Sequence, residues 1–266
     1  MKYLVVGDVH NRLEKFRHLL IKSGAIESDG KTKNEDIFVI QLGDLFSLGY
    51  DEKEIQLARF AEKYVDEFLI GNHELPAIYW DPEKVWFNGW EERDERVANL
   101  VKKRYDEGGY KAASCVGDWL ITHAGLQAPF QDDFVRNGDD AFQVAYNLNG
   151  AFFEAQRSEL SLEVFENVDT WRAGPYGASH GGIFWGDWRS FTNNRGSYPQ
   201  IVGHTGAFGP RFYPTKSNQQ PPAWNVDSRD GDVCGVFTQN EGMTWELVIG
   251  DGRDNSTGER QSLAEA

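Results

Sequence analysis

The sequence predicts an α/β protein, and three observations carry that expectation. The short apolar runs "YLVV", "IFVIQL" and "EFLI" alternate with helical patterns over the first seventy residues. That order gives a largely parallel sheet covered by helices. The runs are nearly continuous rather than alternating, as expected of strands buried on both faces. Each run also stops at glycine or at a polar donor, and in open α/β sheets the edge where strands end is where ligands bind.

The first strand, "YLVV", leads through a loop to a helix from about Arg12. Leu13, Phe16, Leu19 and Leu20 recur there at helical spacing, and Gly24 supplies a stop. The second strand, "IFVIQL", follows a charged loop. A helix from about Glu52, periodic in Ile55, Leu57, Ala58, Ala61, Tyr64 and Val65, then runs into strand "EFLI". Residues 77 to about 107 read as helical, with Trp80, Trp86, Trp90, Val97 and Leu100 spread through charged sequence. "YKAASCVGDWLITHAG" reads as a hairpin turning at Gly117-Asp118. Residues 126–198 read as an irregular region bordering the site, apart from a helical piece around 140–160. The segments "PQIVGHT", "AWNVDS", "VCGVFTQ" and "MTWELVIG" read as short strands. One domain over 1–250 is expected, with 251–266 a solvated tail.

The chain has 266 residues, 40% of them hydrophobic, enough for one large α/β core. A formal net charge of −15 argues against stable nucleic-acid or anionic-membrane binding, which needs Lys and Arg to displace counterions. A small phosphorylated substrate is still compatible if bound cations reverse the local field. Two cysteines, Cys115 and Cys234, are too few for a disulfide framework and suit small core residues in a reducing compartment. The N-terminus shows no signal-peptide pattern, and no apolar run approaches the ~20 residues of a membrane span. The expected location is the cytoplasm.

The chemistry lies in how the strands stop. "YLVVGDVH" ends in Asp8 and His10, "IFVIQLGD" in Asp44, "FLIGNHE" in Asn72 and His73, "WLITHAG" in His123, and "QIVGHTG" in His204. Four of these ends place glycine directly before the first donor, which allows positive φ and close backbone approach. Gly-Asp alone carries nothing, since it recurs as a turn pair at 117–118, 138–139, 186–187, 231–232 and 250–251. Five donor-bearing strand ends together are another matter. Their mixed nitrogen and oxygen set suits borderline divalent metals, and it is large enough for two ions if a carboxylate bridges them.

"GDVHN", "GDLFSLG", "GNHE", "THAGL" and "VGHT" resemble, in order, the five motif blocks of the calcineurin-like metallophosphoesterases. The likeness is greatest to the branch of serine/threonine protein phosphatases and symmetrical diadenosine tetraphosphatases. It implies a four-layer α/β/β/α sandwich of mixed sheets with a dinuclear site at the strand ends. It also implies two divalent ions, manganese first, with iron, zinc or nickel as alternatives. Carried over by position, Asp8 and His10 would bind the first ion, Asp44 would bridge both, and Asn72, His123 and His204 would complete the second site. Asn72 would also lie against substrate. The implied reaction is in-line attack on phosphorus by a metal-bridging hydroxide, with His73 as general acid. In extended backbone, Asn72 and His73 would point to opposite sides.

The second block departs from the phosphatase pattern. Ser47 stands where that branch has a carboxylate orienting the general acid, and Leu48 where it has a phosphate-gripping arginine. Ser47 could still hydrogen-bond His73. Arg195, in "WGDWRSFTNNRG", is the first candidate for a replacement arginine, ahead of Arg189 and Arg172. Trp171, Trp185 and Trp188 read as loop packing or, alternatively, as a platform for a nucleotide base. His18 reads as a helix-face residue and His180 as a loop residue. The substrate is expected to be a phosphoprotein, a nucleotide or dinucleoside polyphosphate, or a phosphodiester. The competing reading is a catalytically silent metal-binding regulatory module, which would bind metal and turn over neither p-nitrophenyl phosphate nor its bis ester.

Overall fold

The structure is a computed structural model that describes residues 1–47, 53–85, 95–205, 209–215, 220–228, 232–238 and 245–250. Leu48, Trp86, Trp90 and the expected tail at 251–266 lie outside those residues. Strands β1 (Lys2–Val6), β2 (Ile37–Gln41), β3 (Glu67–Leu69) and β4 (Tyr110–Lys111) are parallel neighbours. The hairpin expected over 110–125 is shorter than predicted. Tyr110 and Lys111 belong to this first sheet, and only β5 (Ala113–Val116) and β6 (Trp119–Thr122) pair across the Gly117 turn. Four further strands follow: β7 (Gln200–Val202), β8 (Arg211–Tyr213), β9 (Ala223–Asn225) and β10 (Val233–Thr238). The last is β11 (Trp245–Gly250). The sheets run β11-β10-β1-β2-β3-β4 and β5-β6-β7-β9-β8. Both are mixed, since β10 and β11 join the first sheet antiparallel and β8 is antiparallel to β9. The three-residue β8 was not anticipated from the sequence.

Alternation along each strand sorts the core into layers. Val5 of β1, Ile40 of β2 and Val236 of β10 meet Ile121, Ile201 and Trp224 of the second sheet, so one apolar layer lies between the sheets. Leu4 and Val6 face the other way, onto Phe16, Leu19 and Leu20 of helix α1 (Leu13–Lys22). The second helix, α2 (Glu54–Tyr64), buries Leu57, Ala58 and Ala61 on the periodic face read from the sequence. Within the region expected to be helical to residue 107, the structure describes α3 (Leu75–Ile78) and α4 (Glu95–Asp106).

The irregular region contains one long helix and several short ones. After α5 (Gln131–Phe134) comes α6 (Ala141–Ser158), capped by the Asp140 carboxylate accepting from the Gln143 N–H. Then come α7 (Glu163–Glu166), α8 (Thr170–Ala173) and α9 (Trp188–Asn193). Helix α6 covers β5 and β6 as α1 covers β10 and β11. The arrangement is thus two sheets face to face with helices outside. No helix among the described residues is long and apolar enough to cross a membrane.

Candidate metal centre

Parallel strands end on one side of a sheet, so β1, β2 and β3 deliver Asp8, Asp44 and Asn72 to a common edge, where β6 and β7 bring His123 and His204. The preceding glycines serve mainly by their lack of a side chain. A Cβ on Gly71 would lie 2.2 Å from Asp44 N, one on Gly7 2.6 Å from Val226 O, and one on Gly203 2.4 Å from Asp8 Oδ1. Only Gly43, at φ +97°, also needs the left-handed region. The donors themselves carry that strain: His10 (φ 46°), Asp44 (φ 53°) and His204 (φ 70°) are left-handed without being glycine. Such residues cost on the order of 1–3 kcal/mol each and persist where surroundings over-determine them. Here Glu74 Oε2 accepts from Asp44 N at 2.8 Å, and Asp44 O accepts from the N–H groups of Val9 and His10 at 3.0 Å.

Asp44 is the centre of the cluster. Its Oδ2 lies 3.8 Å from His10 Nε2 and 3.7 Å from His73 Nε2, and its Oδ1 lies 3.5 Å from His123 Nε2. His123 Nε2 in turn lies 3.0 Å from Asn72 Oδ1 and 3.1 Å from His204 Nδ1. Asp8 Oδ2 is 3.6 Å from His10 Nε2, and Asp8 Oδ1 accepts from His204 N at 3.1 Å. His123 Nδ1 faces the Leu42 carbonyl at 2.9 Å, which fixes its proton there and leaves the Nε2 lone pair turned inward.

His73 differs from the expectation in two respects. Residues 71–75 turn rather than extend, because Gly71 O accepts from the N–H groups of Glu74 and Leu75 as α3 begins. Asn72 and His73 therefore diverge by the turn and not by strand alternation. The His73 ring is oriented by the Phe46 carbonyl at 2.9 Å from Nδ1, while the Ser47 hydroxyl accepts from Asn11 Nδ2 at 2.6 Å.

Burial lifts the Asp44 carboxyl well above its ordinary range, and neighbouring Asp8 adds to the effect. Burial works against a charged Asp8 as well, but His10 beside it prevails and holds it below that range. For His10, burial is likewise outweighed by Asp8 and Asp44, and the imidazole is raised to about 9. His123 is lowered to about 4 by burial. His204 is lowered well below its ordinary value by burial and by the positive charge of Arg172. His123 and His204 are thus held as neutral imidazole donors beside Asp8 and Asp44. Asp8 Oδ2 and His204 Nε2 are buried without hydrogen-bond partners in the described structure. Two sets, His10–Asp44–His73 and Asp44–His123–His204, each bring candidate donor atoms within 4.8 Å of one another and share Asp44. Orphaned donors around a shared carboxylate fit divalent cations.

Arg195 is not brought to this cluster. It is 2% exposed, and its guanidinium donates to the carbonyls of Tyr213 and Pro214 at 3.1 and 3.2 Å. Its fork satisfies backbone between β8 and the following loop, so the expectation of a substrate contact is corrected. Arg172 is the arginine whose charge acts on Asp44, Asp8, His123 and His204, and its Nε is buried without a partner. Sequence reasoning placed it, with Arg189, behind Arg195, because nothing in "DTWRAGP" signals its approach to the carboxylates. Glu74 was also missed as a positioning residue, although it directly follows Asn72-His73. His18 is exposed, as expected of a helix-face residue.

Two mixed sheets with oxygen and imidazole donors at their strand ends define a class of metal-dependent hydrolase. Residues 1–151 match the family model of the calcineurin-like phosphoesterases, and the chain belongs to that family. Over 98 residues it is 33% identical to Shewanella-like protein phosphatase 2 of Arabidopsis thaliana, a match covering 34% of this chain and 25% of that protein. The crystal structure of a cold-active protein-tyrosine phosphatase from a psychrophilic Shewanella species superposes with a TM-score of 0.56. Its identity is 18%, over 95% of this chain and 78% of that one. The structure of a protein assigned as a diadenosine tetraphosphatase gives a TM-score of 0.51 at 14% identity, covering 93% of each chain. At these identities the structural likenesses speak for the fold.

Proposed function

We propose that Asp8, His10, Asp44, Asn72, His123 and His204 hold two divalent ions, manganese first among them, with Asp44 between the two, and that the protein hydrolyses a small phosphorylated substrate. The observation that carries this reading is the buried Asp44 carboxylate set between His10 on one oxygen and His123 on the other, with Asp8 Oδ2 and His204 Nε2 left unsatisfied in a buried space. The ions would supply Lewis acidity and neutralise phosphate charge. The protein's own groups do the rest. Arg172 faces the cluster and binds a non-bridging phosphate oxygen, the part first assigned to Arg195. His73 keeps one proton on Nδ1 against Phe46 O, so as imidazolium it presents Nε2–H beside Asp44 and donates it to the departing oxygen. The two free cysteines agree with a reducing, cytoplasmic setting.

The test measures metal content and turnover together, with p-nitrophenyl phosphate and bis-p-nitrophenyl phosphate as substrates. The purified protein is expected to carry two ions per chain and to hydrolyse at least one ester, with Asp8→Asn losing both properties. Full metal content with neither ester hydrolysed would instead establish the silent regulatory module.

A further inference from the structure

Beside the metal centre, aromatic and cationic side chains interleave. The Arg189 guanidinium stacks 4.6 Å from the centre of the Trp171 ring and lies 6.0 Å from Trp188, and Arg211 approaches Trp188 from β8 at 5.9 Å. The row is tied to the catalytic strand ends. Trp188 N donates to Thr205 Oγ1 at 2.8 Å, next to His204. Asp169, fully buried, accepts from Trp171 N at 2.9 Å and from the Ser190 hydroxyl, which clamps α8 onto α9. Asp187 pairs with Arg189 in a fork at 2.8 and 2.9 Å, so that arginine is held flat rather than available to an anion. Arg211 has no ion-pair partner among the described residues. A tryptophan that merely packed a loop would be covered, yet Trp171 is 60% exposed, backed by a cation on one side. Its immediate neighbour, Arg172, acts on the metal-site carboxylates.

We propose that Trp171 is a nucleobase platform, stiffened from behind by Arg189, and that the substrate is a nucleoside polyphosphate whose further phosphate is received by Arg211. The inference rests on the phosphoester-hydrolase reading above and names its substrate class. An aryl phosphate would not use this platform. Its ring is bonded directly to the reacting oxygen, whereas a nucleotide places ribose and phosphate between base and scissile bond. Indole faces stack on any base, so the platform gives affinity for a base without choosing among bases.

The test uses the full manganese-loaded chain and tryptophan fluorescence, with ADP, ribose 5-phosphate and a phosphotyrosine peptide as probes. Trp171→Ala is expected to weaken ADP binding roughly tenfold to a hundredfold and leave ribose 5-phosphate unchanged. Trp171→Phe should restore most of the loss, which a folding defect would not allow. Arg211→Gln should weaken ADP more than AMP. Equal ADP affinity in the parent and Trp171→Ala proteins would overturn the proposal, as would a loss confined to the phosphotyrosine peptide. Turnover of p-nitrophenyl phosphate, measured alongside, judges the hydrolase reading separately. Selective ADP binding without any turnover would uphold the platform and remove the reading on which it was built.

Discussion

His73 and Asp44 stand 3.7 Å apart, yet they should fail differently when removed. His73→Ala takes away a proton donor and leaves the shared carboxylate in place, so metal content should persist while turnover falls about 10²–10⁴-fold. Asp44→Ala removes the atom common to both donor sets and should abolish metal binding. Metal analysis of both variants checks this, and equal metal loss in the two would refute the division of roles. Gly71→Ala is the corresponding backbone experiment. Its Cβ would collide with Asp44 N and Oδ1, both at 2.2 Å, so the second and third strand ends must separate. Native circular dichroism with lost metal and lost turnover is the expected result.

At the scale of elements, α8 and α9 act as one clamp through Asp169. Asp169→Ala removes the acceptor for Trp171 N and for the Ser190 hydroxyl, a cap worth roughly 0.5–2 kcal/mol. It should loosen Arg172 and raise KM for phosphoesters more than it lowers metal content, which steady-state kinetics with metal analysis would show. Elements of this kind were least legible in the sequence. The strand ends could be read because each couples a local apolar run to a local donor, and the signal is complete within about eight residues. Arg172 and Arg195 could not be ranked, because loop arginines are placed by distant partners. Arg195 is drawn to the carbonyls of Tyr213 and Pro214, and Arg172 to carboxylates more than 120 positions earlier in the chain. Likewise β8, three residues with exposed Arg211 and Phe212, lacks the buried run that marks a strand.

For the whole molecule, cations that bind only the native state stabilise it by mass action. At a hundred times Kd one site contributes about 2.7 kcal/mol. Chelation should therefore lower Tm by several degrees, and manganese should restore it, as read by differential scanning calorimetry. Cys234, in β10, gives an independent report. It is 1% exposed, and burial pushes its thiol up to about 12 from 9.0. The native group thus resists ionisation while the unfolded one ionises first. Its contribution to stability is complete below pH 9 and is lost as pH rises from there toward 12. At pH 8 a thiol reagent should reach Cys234 only through unfolding, and chelation should quicken that reaction. Rapid labelling unaffected by chelator would contradict both statements.

The position of β1 has a consequence for synthesis. Its neighbours are β2 on one side and β10 on the other, with Val5 opposite Val236. A ribosome must extrude more than two hundred further residues before the opening strand gains its second partner, and His204 also arrives late. Until then β1 has a bare edge able to pair with a stranger. A fragment ending near residue 151 would keep that edge permanently open, so it should precipitate rather than work as a smaller phosphoesterase.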